Sequence, residues 1–160
     1  MRIKTEVIKT VDINLRKKCV EITTSRRALA LPFARLRVVP TKDDPVNEIY
    51  IDDELGRRGV TYSLTSGQED SIHLDAFLDY NRDPDFLREV FLRQITMDAR
   101  KLFEASGLSK HEVARRLETS PSQLYRLLDP ANKKKSADEM IRLMSVLGWK
   151  IEWRLVRDVA

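Results

Sequence analysis

The sequence predicts an α+β fold: a small antiparallel sheet domain over residues 1–82, then a helical bundle over residues 83–160 that ends in a strand. Three observations predict it. Apolar residues recur with a period of two through Val60–Leu64 and with a helical period beyond Asp85. The change falls at Asn81–Pro84, a polar NRDP stretch that closes on a proline. The net charge of +4 also divides there: residues 1–80 carry 13 Lys and Arg against 13 Asp and Glu, and residues 81–160 carry 16 against 12.

In the first half, Val7–Ile13, Cys19–Thr23, Ala28–Leu31, Ile49–Ile51 and Val60–Leu64 read as short strands, with Val20 and Ile22 on one face. Turn residues separate them at Asn14–Lys18, Pro40–Pro45, Gly56–Gly59 and Ser66–Asp70. One antiparallel sheet with a short helix near Asp75–Tyr80 is expected. Asp83 as N-cap and Pro84 at the first helical position then open a long helix from Asp85 to about Ala105, with Leu87, Phe91, Ile95, Ala99 and Leu102 on one stripe.

The most informative segment is GLSKHEVARRLETSPSQLYRLL, Gly107–Leu128. Ser109 and Glu112 have the spacing of a capping box, so a helix starts at Lys110. Periodicity breaks at Glu118 and Thr119. Ser120 is a second N-cap, and Pro121 takes a position where its missing N–H costs nothing, so another helix runs from Pro121 to Leu128. Val113, Leu117, Leu124 and Leu127 fall where two crossed helices face each other, with small Ala114 at the closest approach. Ser122, Gln123, Tyr125 and Arg126 are left on the outer face. From Ser106 to Ser136 there are 7 basic residues against 3 acidic, an excess of the kind phosphate contact needs.

This segment resembles the phage-repressor-like helix-turn-helix family, of lambda-repressor or xenobiotic-response-element type, over roughly the last half of the chain. The resemblance implies that the second helix enters the DNA major groove. Members usually carry Gly where Glu118 stands and a branched apolar residue at Thr119, which makes a strained or differently shaped turn the expectation here. Pro121 occupies a place often held by a polar reader, so base reading is expected from Ser122, Gln123 and Arg126, residue types suited to base edges. Phosphate contacts are expected from Lys110, Ser120, Tyr125, Lys133, Lys134 and Lys135. The competing readings are a solvated helix face for Gln123 and Arg126 and a solvated surface run for the lysines.

Ser136 and Glu139 form a further capping box, and Met140, Ile141, Leu143, Met144 and Leu147 give an amphipathic helix that Gly148 ends. In WKIEWRLV, Trp149, Ile151, Trp153 and Leu155 alternate with charged residues, the pattern of a strand, which must pair with the N-terminal sheet or with its twin in a second copy of the chain. Similar endings in the family imply a dimer, and Trp149, Ile151 and Trp153 are its expected interface. In the first half, the order of LPFARL and GVTYSLTSGQEDSIHLDAFL looks like a small bacterial α+β domain of unknown function found ahead of helix-turn-helix modules. That likeness implies no activity; a small effector, a protein partner or dimer surface are the roles it leaves.

Catalytic signatures are absent from the sequence. Cys19 is the single cysteine and lies in a strand pattern, His73 and His111 are far apart, and no zinc spacing, Gly-rich phosphate loop or nucleophile elbow occurs. His73 reads as a strand side chain and His111 as an outer-face residue. The acidic run Asp52, Asp53 and Glu54 reads as a wet turn rather than a metal site. With 160 residues, 42% hydrophobic, no apolar run near 18 residues and no signal-peptide core in MRIKTEV, the expectation is a cytoplasmic protein without a membrane span or cofactor. The function expected is a non-enzymatic, sequence-specific transcriptional regulator, a dimeric repressor on a two-fold operator of double-stranded DNA. The alternatives are an antitoxin that masks a toxin partner and represses its own promoter and, least favoured, an enzyme dimerised by its helices.

Overall fold

The computed structural model describes residues 5–157. Residues 1–4, the start of the MRIKTEV segment expected to lack a signal-peptide core, lie outside them. Among the described residues the chain is mixed α+β, with six strands in two three-stranded antiparallel sheets and five α-helices. It divides into two compact units between Phe86 and Leu87, inside a helix and a few residues past the expected boundary.

In the first unit, β1 (Ile8–Asn14), β2 (Cys19–Thr24) and β3 (Ala28–Pro32) form one meander. β4 (Val46–Ile51), β5 (Gly59–Leu64) and β6 (Glu69–His73) form the other. The sequence points to one sheet; two form because the link from β3 to β4 carries Pro40 and Pro45, which cannot donate to a ladder. A single 3₁₀ turn, Phe33–Arg35, opens that link. β6 carries the strand character expected at His73 back to Glu69: EDSIH alternates only weakly, with one buried residue, Ile72, and the turn expected at Ser66–Asp70 stops at Gln68. α1 (Leu74–Tyr80) completes the unit, and Leu74 and Phe77 join Ile8, Val20, Ile22, Val60, Tyr62 and Ile72 in one core. His73 ends β6 and caps α1, its Nδ1 accepting from the Asp75 N–H at 3.3 Å. Cys19 is buried, and burial pushes its thiol pKa up. Asp52 folds its carboxylate back onto the turn, accepting from the Glu54 N–H at 2.9 Å and the Thr61 hydroxyl at 2.7 Å.

The remaining helices are α2 (Pro84–Ser106), α3 (Lys110–Arg116), α4 (Pro121–Leu128) and α5 (Ala137–Val146). Asp83 caps α2 by accepting from the Phe86 N–H at 2.9 Å. Leu92, Ile95 and Ala99 of α2, Val113 and Ala114 of α3, Leu124 and Leu127 of α4, and Met140, Leu143 and Met144 of α5 form the core of the second unit. Ile141, expected in that core, is exposed. α5 ends in a left-handed Gly148 (φ +85°), which lets the Trp149 N–H reach back to the Met144 carbonyl at 2.9 Å.

The expected C-terminal strand is not formed: residues 151–157 are irregular. A strand must pair its backbone outside itself, and none of the six strands among the described residues pairs with this segment. Among the described residues, no helix is long and apolar enough to cross a membrane.

Candidate nucleic-acid interface

The centre of the site is the pair α3 and α4 with the turn between them. Ser109 and Ser120 each accept from the backbone N–H three residues on, at 3.2 and 3.1 Å, which satisfies an orphan donor at each helix start. The expected capping box at Ser109 is only half made. The Glu112 carboxylate turns away from the cap and holds Arg115 at 2.8 Å and Arg116 at 2.7 Å, stronger partners than a backbone N–H. These hydrogen bonds, Arg115 first, hold the Glu112 pKa down at about 2.

The turn is drawn tight by two backbone bonds, from Glu118 N–H to Arg115 and from Thr119 N–H to Ala114, at 3.1 and 2.9 Å. That closure needs a left-handed residue, and Glu118 supplies it with φ +55°. The strain expected from the missing glycine is therefore present, on the order of 1–2 kcal/mol. α4 presses Leu124 and Leu127 into the core and leaves Ser122, Tyr125 and Arg126 exposed.

The named side chains have distinct surroundings. Lys110 lies over the Tyr125 ring, 4.1 Å from its centroid, with its ammonium 2.5 Å from the phenolic oxygen, so the two form one cationic, amphipathic patch across α3 and α4. Arg126 donates to the Gln123 amide oxygen at 3.4 Å. Gln123 is half-buried rather than on the open face where the helical period put it. The Ser120 hydroxyl accepts at the cap, which leaves its O–H to donate elsewhere.

The lysine run divides by role. Lys133 is exposed and pairs with Glu89 of α2 at 2.7 Å, whereas the Lys134 side chain has no partner among the described residues. Lys135 is only 3% exposed, which removes it from the expected set of phosphate contacts. Its ammonium donates to the Thr96 hydroxyl at 2.8 Å and to the carbonyls of Leu127 and Asp129 at 2.8 and 2.6 Å. The carbonyls at the end of α4 need donors, and this lysine supplies them from inside. Burial lowers its pKa from the ordinary lysine value. Around it Arg88 donates to the carbonyls of Lys133 and Lys135 at 3.3 and 3.0 Å, and Asn132 to that of Arg126 at 3.0 Å, so the loop after α4 is pinned on both sides.

Beyond α5, Ile151 packs against the core of the second unit and Trp153 stacks on Phe91 with 5.7 Å between centroids. Trp149, the outer part of Trp153 (62% exposed) and Leu155 (97%) are open to solvent. Of the expected interface residues, Ile151 is therefore largely spent within its own chain.

Compared with protein-family models, curated proteins and solved structures, the chain matches none.

Proposed function

We propose that this protein is a sequence-specific DNA-binding regulator of the helix-turn-helix kind, in which α4 enters the major groove and α3 lies across the sugar-phosphate backbone. One observation carries the reading: a short helix fixed by its apolar side on its partner α3, with Ser122, Tyr125 and Arg126 exposed on the opposite side and cations around it. An α-helix with its side chains is about 10–12 Å across, and the major groove, about 12 Å wide, admits it. Its action is occupancy of DNA rather than chemistry. Arg126 has the geometry to hold guanine O6 and N7 in a fork, while Lys110, Tyr125, Lys133 and Lys134 face the phosphates.

A second copy of the chain belongs to this proposal. Trp149, Trp153 and Leu155 lie on an unpaired segment whose alternation suits pairing with its twin, and a two-fold pair of α4 helices would read half-sites about one turn of DNA apart.

The test is binding of a fluorescent duplex library at two salt concentrations. Arg126→Ala is expected to relax preference at one base pair, at a cost of roughly 1–3 kcal/mol. Lys133→Ala with Lys134→Ala is expected to weaken all duplexes alike and to flatten the salt dependence. Identical behaviour of the two variants would remove Arg126 from base reading, and no binding at low salt would end the proposal.

A further inference from the structure

The first unit carries a hollow of about 330 Å³ where the 3₁₀ turn after β3 meets β6 and the start of α1. That is the lower end of the range of about 300–1,000 Å³ in which small organic molecules bind. Its floor is apolar, made of the buried Leu31, Leu36 and Ile72. Its rim is cationic and rich in unspent donors. Arg35 lies over the Tyr80 ring, 5.6 Å from the centroid, and its N–H groups have no acceptor among the described residues. Arg37 spends two of its five N–H groups on Asp70, from Nε at 3.2 Å and from Nη2, and keeps the other three. His73 carries a hydrogen on Nε2 in either charge state, because its Nδ1 accepts from the Asp75 N–H at 3.3 Å when neutral and faces the Asp75 carboxylate at 3.4 Å when charged. The carboxylates nearby are already answered: the Asp70 side chain, 10% exposed, is held by Arg37, and Asp75 by Arg58 at 3.3 Å. Arg35 and Arg37 against Asp70 leave the lining with one positive charge in excess.

We propose that this hollow binds a small organic carboxylate, its apolar body on Leu31, Leu36 and Ile72 and its head on Arg35 and the free N–H groups of Arg37 and His73. A single excess charge matches a carboxylate, whereas a phosphate monoester carries about −1.5 to −2 near neutral pH. A guanidinium grips a carboxylate in a planar fork, and stacking on Tyr80 holds that of Arg35 in place beforehand. The site lies wholly in the first unit and involves no DNA, so this proposal and the DNA-binding reading fail separately.

The experiment titrates the full chain with benzoate and follows its backbone and methyl resonances by NMR. Saturable shifts centred on residues 31–37 and 70–76 are expected. Benzamide, which keeps the body and lacks the charge, is expected to bind roughly 10-fold more weakly, and Arg35→Ala to weaken benzoate by the same factor, the size of a lost charge-assisted hydrogen bond. Arg16→Ala removes an exposed cation outside the hollow and is expected to leave the affinity unchanged; an equal loss there overturns the proposal by reducing it to overall charge. Benzamide that binds as well as benzoate, or shifts that never saturate, also overturn it. Tighter binding of benzylammonium overturns it by making Asp70 the anchor, and tighter binding of phenyl phosphate overturns the choice of a carboxylate. The comparison of the four compounds on the wild-type chain holds even where Arg35→Ala fails to fold.

Discussion

Replacing Lys135 with methionine keeps the length and apolar stem of the side chain and deletes only its ammonium. The Leu127 and Asp129 carbonyls would then lose their donor at a site 3% exposed, and the Thr96 hydroxyl would lose a donor while still bonding the Leu92 carbonyl at 2.6 Å. Each buried acceptor left alone costs about 1–3 kcal/mol, and relief of the desolvated charge offsets part of the sum. A net loss of about 2–3 kcal/mol is expected. For a cooperative unit of this size that corresponds to a fall of roughly 10–20 °C in melting temperature. Circular dichroism melts of both proteins measure it. The pH dependence gives a second readout with a defined sign. Because burial lowers the folded-state pKa of Lys135, the unfolded chain binds more protons between that value and the ordinary lysine pKa of about 10.4. Wild-type stability should therefore gain relative to Lys135→Met as pH rises through that window. A loss under about 0.5 kcal/mol would refute the assignment of Lys135 as the internal cap of α4.

Glu118→Gly should stabilise the chain by about 0.5 kcal/mol, since relief of the left-handed strain exceeds the added backbone entropy of the unfolded state; a destabilised variant in urea unfolding would show that the turn carries no strain. Glu112→Gln should remove an acid-dependent contribution. The folded pKa of Glu112 is lowered to about 2, so its contribution is present above the ordinary carboxylate range and disappears as pH falls through about 2; stability curves for variant and wild type should converge over that interval, and parallel curves would contradict the ion-pair geometry. Trp153→Ala together with Leu155→Ser should convert a dimer to a monomer in sedimentation at micromolar concentration, and a wild-type monomer would exclude the tail as an interface.

What could be read from the sequence was local. Ser109, Ser120, Ser136 and Asp83 act on N–H groups within a turn of themselves, so their spacing predicts where α2, α3, α4 and α5 begin. The strand cores around Val20, Ile22, Val60 and Leu64 follow from alternation for the same reason. Features that depend on distant partners were hidden. Nothing in NKKKS distinguishes Lys135 from its neighbours, because Thr96 lies 39 residues away. Gln123 reads as outward by helical period yet is half-buried in a crevice that it lines with Leu117 and Leu127, which local spacing does not announce. The alternation in WKIEWRLV is real, yet alternation alone supplies no ladder partner, and Ile151 and Trp153 settle on α2 and the core instead.

The internal position of Lys135 gives three identical letters unequal fates under selection. Positions 133 and 134 should accept other polar residues at little risk to folding, whereas position 135 should resist even arginine, whose broad planar head suits a three-oxygen cradle less well than a compact ammonium. In a saturation scan the run should split into two permissive columns beside one intolerant column, and reagents that modify amines should reach the first two well before the third.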